Sequence, residues 1–473
     1  MYRKELEKLA SWWLQVPRKP LIIRGARQVG KSTLVRLFAE AKGLQLSEVN
    51  LDRYPQLDSV FATFDVQKIL SELESLPKVL EISGESLLFL DEIQGVEHAL
   101  PALRYFYEDR PDLPVITAGS LLEFLLRDHT FSMPVGRVEY LPMGPLVFSE
   151  FLEALGEKNL LKKINNFQFS GDLGEITHRR CLELLRSYLY VGGLPEAVVQ
   201  FTKTGSHRQV SAVHHALIDT YKDDFPKYIG SRNLSRLLKV FAYAARSVGS
   251  KVKYSNFSAD HQSATIKGDI ELLCLARIFT KVTHSHCNGL PLDADRDEKV
   301  FKLLFLDVGL MNAMIGLNWS DISSIPDLKL VNEGMMAEQF VGQHLLDTNR
   351  QNLSSGLNYW LREGKGVNAE VDYVSSVDGL VLPIEVKSGA SGSLRSLHQF
   401  MAEKNLPLAV RLDLNPPSLQ SIATKIQTKT GVREVQYKLL SLPLYMVEKI
   451  PDVARSLGIM TNGMPSASED KQT

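Results

Sequence analysis

The sequence predicts an α/β protein: a parallel sheet at the N-terminus, a helical middle and a second α/β domain near the C-terminus. Three observations point there. A short apolar run, Leu21-Ile22-Ile23, leads into a glycine-containing loop and then a helix-periodic segment, residues 33–39. The continuous apolar run at residues 87–90 has the form of a parallel strand buried on both faces. Further on, strand-like runs at 357–362, 369–375 and 380–387 stand between two helix-like segments.

The 473 residues exceed what a single core organises. Composition divides them into segments 1–150, 151–230, 231–320 and 330–450 and a polar tail, 451–473, in part disordered. A net charge of −1 provides no overall basic field, so any nucleic-acid contact has to come from local patches. Cys181, Cys274 and Cys287 are scattered and odd in number, which fits a reducing cytoplasm. The charged, Trp-bearing start has no signal-peptide form, and no apolar run is long enough to span a membrane.

Residues 1–16 read as an amphipathic helix closed by Pro17 and Pro20. The loop that follows, Gly25-Ala26-Arg27-Gln28-Val29-Gly30-Lys31-Ser32, has the spacing G-x-x-x-x-G-K-S before Thr33. Glycines let its N–H groups face phosphate oxygens, and the helix N-terminus beneath adds partial positive charge. Lys31 is placed to reach the β- and γ-phosphates, and Ser32 to ligate Mg²⁺. ATP and Mg²⁺ are therefore the expected cofactors.

Residues 45–51 read as the next strand. The run at 87–90 delivers Asp91 and Glu92 to a strand C-terminus, where open α/β sheets hold ligands. Asp91 suits a Mg²⁺ contact, and Glu92 suits orienting and activating water. A helix is expected over 97–109, then a strand over 113–117. Ser120, with Thr117 behind it, is a candidate for the γ-phosphate or the lytic water. A helix N-cap is the alternative for Ser120, and the two roles are compatible. Residues 133–146 read as one further strand. Arg137 near its start is either an arginine finger, in cis or from a neighbouring subunit, or an exposed structural arginine.

The order of P-loop, LFLDE, TAGS and GR-x₄-PMGPLVFSEFL resembles the AAA+ ATPases. More narrowly, it resembles prokaryotic members with a C-terminal domain of unknown function and a nuclease-like fold. The resemblance covers nearly the whole chain. It implies a five-stranded parallel sheet with the P-loop strand central, ATP hydrolysis and a winged-helix middle.

Residues 148–228 are mostly helix-periodic. YLYVGGLPE at 188–196 matches a signature of the same family, and Gly192-Gly193 marks a tight helix–helix corner. A nucleotide-sensing lid is its functional version. Helix, turn, helix and hairpin over 234–307 give the winged-helix pattern. The second helix offers Lys267 but also Asp269 and Glu271, whose carboxylates repel phosphates, so an interdomain role is favoured over DNA reading. His284-Ser285-His286-Cys287 reads as a hairpin tip, since no second ligand pair accompanies it.

The α-β-β-β-α-β order of 333–440 resembles the PD-(D/E)XK, restriction-endonuclease-like fold. Asp372 and Glu385 are candidate Mg²⁺ ligands, with Glu338 as an extra ligand and Gln399 as a weaker one. Glu385 and Lys387 share a strand face, and Lys387 suits orienting water or neutralising phosphate. A solvated, charge-guarded strand end is the alternative for Glu385-Val386-Lys387.

The expectation is thus an ATPase whose nucleotide state controls a C-terminal nuclease-like domain acting on nucleic acid. The alternative is an ATP-dependent switch or interaction module with a catalytically inactive nuclease-like domain. A protein partner or a homo-oligomer is compatible with either.

Overall fold

A computed structural model describes residues 1–120, 122–124, 136–169, 173–227, 229–230, 232–257, 262–323, 333–351, 356–363, 368–388, 393–428 and 431–458. The chain divides into two compact units that interleave along the sequence. The first comprises residues 1–146, 193–241 and 261–279. The second comprises 147–192, 242–260 and 280–473. The chain leaves the second unit at Gly192 and resumes the first at Gly193, within the predicted glycine corner. Gly192 has φ +72°, and a Cβ on Gly193 would lie 2.0 Å from the Leu146 carbonyl oxygen. Side chains other than hydrogen do not fit there.

The first unit is built on a five-stranded sheet of β1 (Leu21–Arg24), β2 (Leu46–Asn50), β3 (Leu87–Asp91), β4 (Val115–Ala118) and β5 (Glu139–Pro142). Its order is β2-β3-β4-β1-β5, and every pair is parallel. The P-loop strand β1 is interior, but the middle place belongs to β4. All five residues of β3 are buried, which explains its unbroken apolar run. Of the predicted strand over 133–146, only Glu139–Pro142 is extended; residues 133–135 lie outside the described residues. The core on one side of the sheet joins Leu88 and Leu90 to Ile69, Leu73, Leu103 and Phe106 of the helices Val66–Glu74 and Ala99–Asp109.

The predicted second helix of the winged pattern is a single helix, Ser263–Leu275. Its Asp269 is fully buried and takes both the Nε and a terminal nitrogen of Arg236 at 2.6 and 3.1 Å. Lys267 instead pairs with Glu271 at 3.8 Å.

The second unit carries an eight-stranded mixed sheet. Its members are β6 (Phe279–Ser285), β7 (Arg296–Phe305), β8 (Leu357–Arg362), β9 (Ala369–Val377), β10 (Leu380–Val386), β11 (Leu408–Asp413), β12 (Ser418–Thr428) and β13 (Gly431–Pro443). The order is β12-β13-β11-β10-β9-β8-β6-β7. The hairpin predicted as a wing is thus continuous with this sheet, because β6 pairs in parallel with β8 through Val282 and Leu357. His284 and Ser285 belong to β6 and are buried, not at a hairpin tip; His284 Nδ1 accepts the Leu361 N–H at 3.2 Å. Strand β12 was not foreseen. Its side chains are largely polar, and Ile422 and Ile426 pack against the core. The helix Ile450–Ser456 buries Ile450, Val453 and Ala454, so the start of the predicted tail is ordered. Residues 459–473 lie outside the described residues. No helix among the described residues is long and apolar enough to cross a membrane.

Candidate nucleotide site and carboxylate cluster

Strand β1 ends at Arg24, and the loop that follows turns into the helix Lys31–Lys42. The turn needs left-handed backbone at Gln28 (φ +64°) and Gly30 (φ +93°). At Gly25 the constraint is space: a Cβ would sit 2.3 Å from the Met143 carbonyl oxygen. Lys31 curls back over the loop, its Nζ donating to the carbonyls of Gly25 (3.1 Å) and Ala26 (2.9 Å). Burial lowers its pKa to about 8, against the opposing pull of Glu92 and Asp91. Ala26 and Val29 are buried and Thr33 is exposed. Arg27 pairs with Asp224 at 2.8 Å, and its carbonyl accepts the Tyr221 hydroxyl at 2.7 Å. The helix His207–Asp224 therefore braces the loop from within the same unit.

Asp91 closes β3 and accepts the Ser32 hydroxyl on Oδ2 at 2.8 Å. Burial raises its pKa, with the Ser32 bond opposing. Glu92 follows in left-handed backbone, φ +50°. Its Oε2 accepts from Gln94 Nε2 at 2.5 Å, the Ser120 N–H at 3.0 Å and the Ser120 hydroxyl at 2.9 Å. Burial works against its charge, but these three bonds and Lys31 together hold its pKa below the ordinary value. Thr117 donates to the Leu90 carbonyl at 2.8 Å and ties β4 to β3.

Lys31, Ser32, Asp91, Glu92 and Ser120 thus gather at the C-terminal ends of β1, β3 and β4. The Ser32 hydroxyl beside a buried carboxylate is an oxygen donor set suited to Mg²⁺. The Arg137 expectation needs correction for action in cis. Glu139 pairs with Leu21 at the start of two parallel strands, so Arg137 stands at the opposite edge of the sheet from the loop. Its guanidinium pairs with Glu108 at 3.0 Å and lies over the Tyr107 ring.

One ionic group was missed. Glu123 accepts Arg24 Nε at 2.9 Å and Arg277 Nε at 2.8 Å, both on Oε1, while a terminal nitrogen of Arg24 bonds Oε2. Arg277 has φ +58° and its charge is felt at Lys31. Separations of 99 and 154 residues left no local signal for this triad.

In the second unit, Asp372 on β9 accepts the Val386 N–H on Oδ2 at 2.8 Å. Glu385 on β10 accepts Lys387 Nζ on Oε1 at 2.6 Å, while its buried Oε2 has no partner. Glu338, from the helix Glu333–Gln351, completes the predicted set. Gln399 does not join it; its amide donates to Glu403 at 3.0 Å. Two unforeseen groups do join: Glu370 and Lys302. Lys302 Nζ lies 3.3 Å from Glu338 Oε2 and 3.9 Å from Asp372 Oδ1, and pairs with Glu370. Glu370 lay two residues before Asp372 on the same strand face, and Lys302 was the single charge in an apolar strand run. Burial first, then Asp372, pushes the Glu338 and Glu385 carboxyls up to about 8. As arranged, the cluster does not fit a divalent ion. Among the described residues no three acidic, histidine or cysteine side chains converge on a metal position.

The fold and site of the first unit define a P-loop nucleotide-binding domain. Residues 17–152 match the family profile described as AAA domain, and the chain carries an AAA-type ATPase-like domain. Residues 182–321 and 333–424 match two domains of unknown function, DUF8612 and DUF4143. No curated protein matches the chain. Among solved structures, the chain is similar to the Aeropyrum pernix ORC2 protein in its ADPNP–ADP complexes (14% identity, 67% of this chain and 91% of that one, TM-score 0.32). It is also similar to the Thermotoga maritima RuvB Holliday junction branch migration motor (16% identity, 60% and 90%, TM-score 0.26). A third similarity is to AMPPCP-bound DnaA from Aquifex aeolicus (12% identity, 59% and 90%, TM-score 0.27). At these identities and scores the likeness does not extend to a shared ligand or partner.

Proposed function

We propose that the chain is a Mg²⁺-dependent ATP hydrolase whose nucleotide state controls its second unit. The observation that carries this is the pairing of Ser32 with Asp91 and of Ser120 with Glu92 beside Lys31. Residues 25–33 cradle the triphosphate through backbone N–H groups. Lys31 exchanges its two loop carbonyls for phosphate oxygens, and its charge becomes less costly there. Ser32 and Asp91 would hold Mg²⁺, which supplies charge neutralisation on the phosphates. Glu92, kept ionised, takes the proton of the attacking water, and Ser120 keeps that carboxylate aimed.

For the second unit we favour a module that binds without cutting. The alternative is phosphodiester cleavage at Asp372, Glu385 and Lys387, with Glu338 as a further ligand. It is supported by their convergence and by the unpartnered Glu385 Oε2, but it needs a divalent ion that the cluster does not accommodate. Nucleic acid is the expected partner class by resemblance alone.

Two assays test the reading. Fluorescent ATP analogues should bind wild type and Glu92→Gln alike and fail to bind Lys31→Ala. Single- and double-stranded DNA and RNA, incubated with Mg²⁺ or Mn²⁺ with and without ATP, should stay intact. Cleavage abolished by Asp372→Ala and by Lys387→Ala would establish the nuclease alternative.

A further inference from the structure

We infer that the Lys302 ammonium is the resident cation of the carboxylate cluster, taking the place a divalent metal would need, so the second unit works without a metal ion there. Lys302 is 2% exposed, in the apolar part of β7 between Phe301 and Leu303. Its ammonium lies 3.3 Å from Glu338 and 3.9 Å from Asp372 and pairs with Glu370, carboxylates that arrive from a helix and one face of β9. A buried cation among acceptors supplies the charge compensation that a metal otherwise brings, and removing either side leaves uncompensated buried charge.

The backbone of β7 around Lys302 is held on its outer edge. The segment 249–252 runs along β7 on the other side, with the Gly249 N–H donating to the Leu303 carbonyl and the Val252 N–H to the Phe301 carbonyl at 2.8 Å. Gly249 also roofs Glu338: a Cβ there would sit 2.8 Å from Glu338 Oε2. Asp372 also accepts the Val386 N–H, and Glu385 holds Lys387 on Oε1 while its buried Oε2 has no partner. The lysine lies outside residues 333–424, the segment matched to one domain of unknown function, whereas all its carboxylate partners lie inside. The ion cluster therefore joins two stretches of sequence into one unit. It also explains why a site with nuclease-like acidic spacing holds no metal position.

The test uses the full chain carrying Asp91→Asn, which removes the carboxylate proposed to hold Mg²⁺ at the nucleotide site, with Mn²⁺ followed by paramagnetic resonance and no nucleotide present. Asp91→Asn protein should bind no stoichiometric Mn²⁺. Adding Lys302→Met should create about one equivalent of bound Mn²⁺, lost again on adding Asp372→Asn. Mn²⁺ bound by the Asp91→Asn protein and lost with Asp372→Asn overturns the inference, as does a folded Lys302→Met variant that stays silent. Thermal unfolding of Asp91→Asn protein gives a reading that does not depend on Lys302→Met folding. Its midpoint should be the same in Mg²⁺ and in EDTA. A Mg²⁺-dependent rise that disappears with Asp372→Asn also overturns it. ATP hydrolysis by the wild type is measured separately, so failure here leaves the ATPase reading standing.

Discussion

Ser120 donates both its backbone N–H and its hydroxyl to a single oxygen of Glu92, at 3.0 and 2.9 Å. The bond joins the tip of β4 to the tip of β3 and holds a part-buried carboxylate whose charge burial opposes. Ser120→Ala removes the hydroxyl bond and keeps the backbone one. The turnover of ATP should fall about tenfold, with ATP affinity unchanged. The acid limb of the pH–rate profile should also move to higher pH, because Glu92 loses a bond that favours its charged form. Steady-state phosphate release from acid to neutral pH reads both effects.

Lys31 carries the opposite sign. Its folded pKa, about 8, lies below the ordinary value of 10.5 because burial penalises the ammonium. Between these values the unfolded chain binds more protons than the folded one. The destabilisation is thus fully present below about 8 and is relieved as pH rises to 10.5. Stability of the nucleotide-free protein should therefore gain a contribution across that window, seen as a smaller gain in Lys31→Met. ATP, being anionic, restores the proton, so calorimetry in buffers of different ionisation heat should show proton uptake on binding above about pH 8.

The Asp269–Arg236 pair predicts a structural role for the helix once considered for DNA reading. Asp269→Ala leaves the guanidinium without its fully buried partner. It should cost about 3 kcal/mol in denaturant unfolding. Lys267→Ala, at an exposed position, should change stability by less than about 0.5 kcal/mol.

Gly193→Ala should be destabilising by about 2 kcal/mol, because its Cβ meets the Leu146 carbonyl and neither backbone yields cheaply. Gly205→Ala is the control for glycine loss at an uncrowded position. Nothing lies near its Cβ, so only the strain of its φ of +63° is felt. Urea midpoints separate the two.

What the sequence showed follows from how local each feature is. The loop at 25–33 and the strand ending in Asp91-Glu92 were legible because eight adjacent residues and one apolar run encode them. Strand spacing puts Glu385 and Lys387 on one face, and Asp372 was grouped with them by the resemblance of the element order. The Arg24–Glu123–Arg277 triad and Lys302 were not legible. Their partners lie far away in sequence, and the single charge in the apolar run of β7 does not say which groups it meets. For Arg137 the sequence left a finger in cis, a finger from a neighbouring subunit and an exposed structural arginine open, because its sequence neighbourhood does not say which end of the sheet it occupies. The parallel pairing of β1 with β5 decides that. Where the hairpin read as a wing belongs was likewise not legible, since the β6–β8 pairing is distant in sequence.

The most direct test of the central claim is phosphate release from Mg²⁺-ATP by wild-type protein and Lys31→Ala purified side by side. The account predicts steady turnover by wild type and a fall of about 10²-fold or more in Lys31→Ala, with both proteins folded. Equal rates in the two would contradict it.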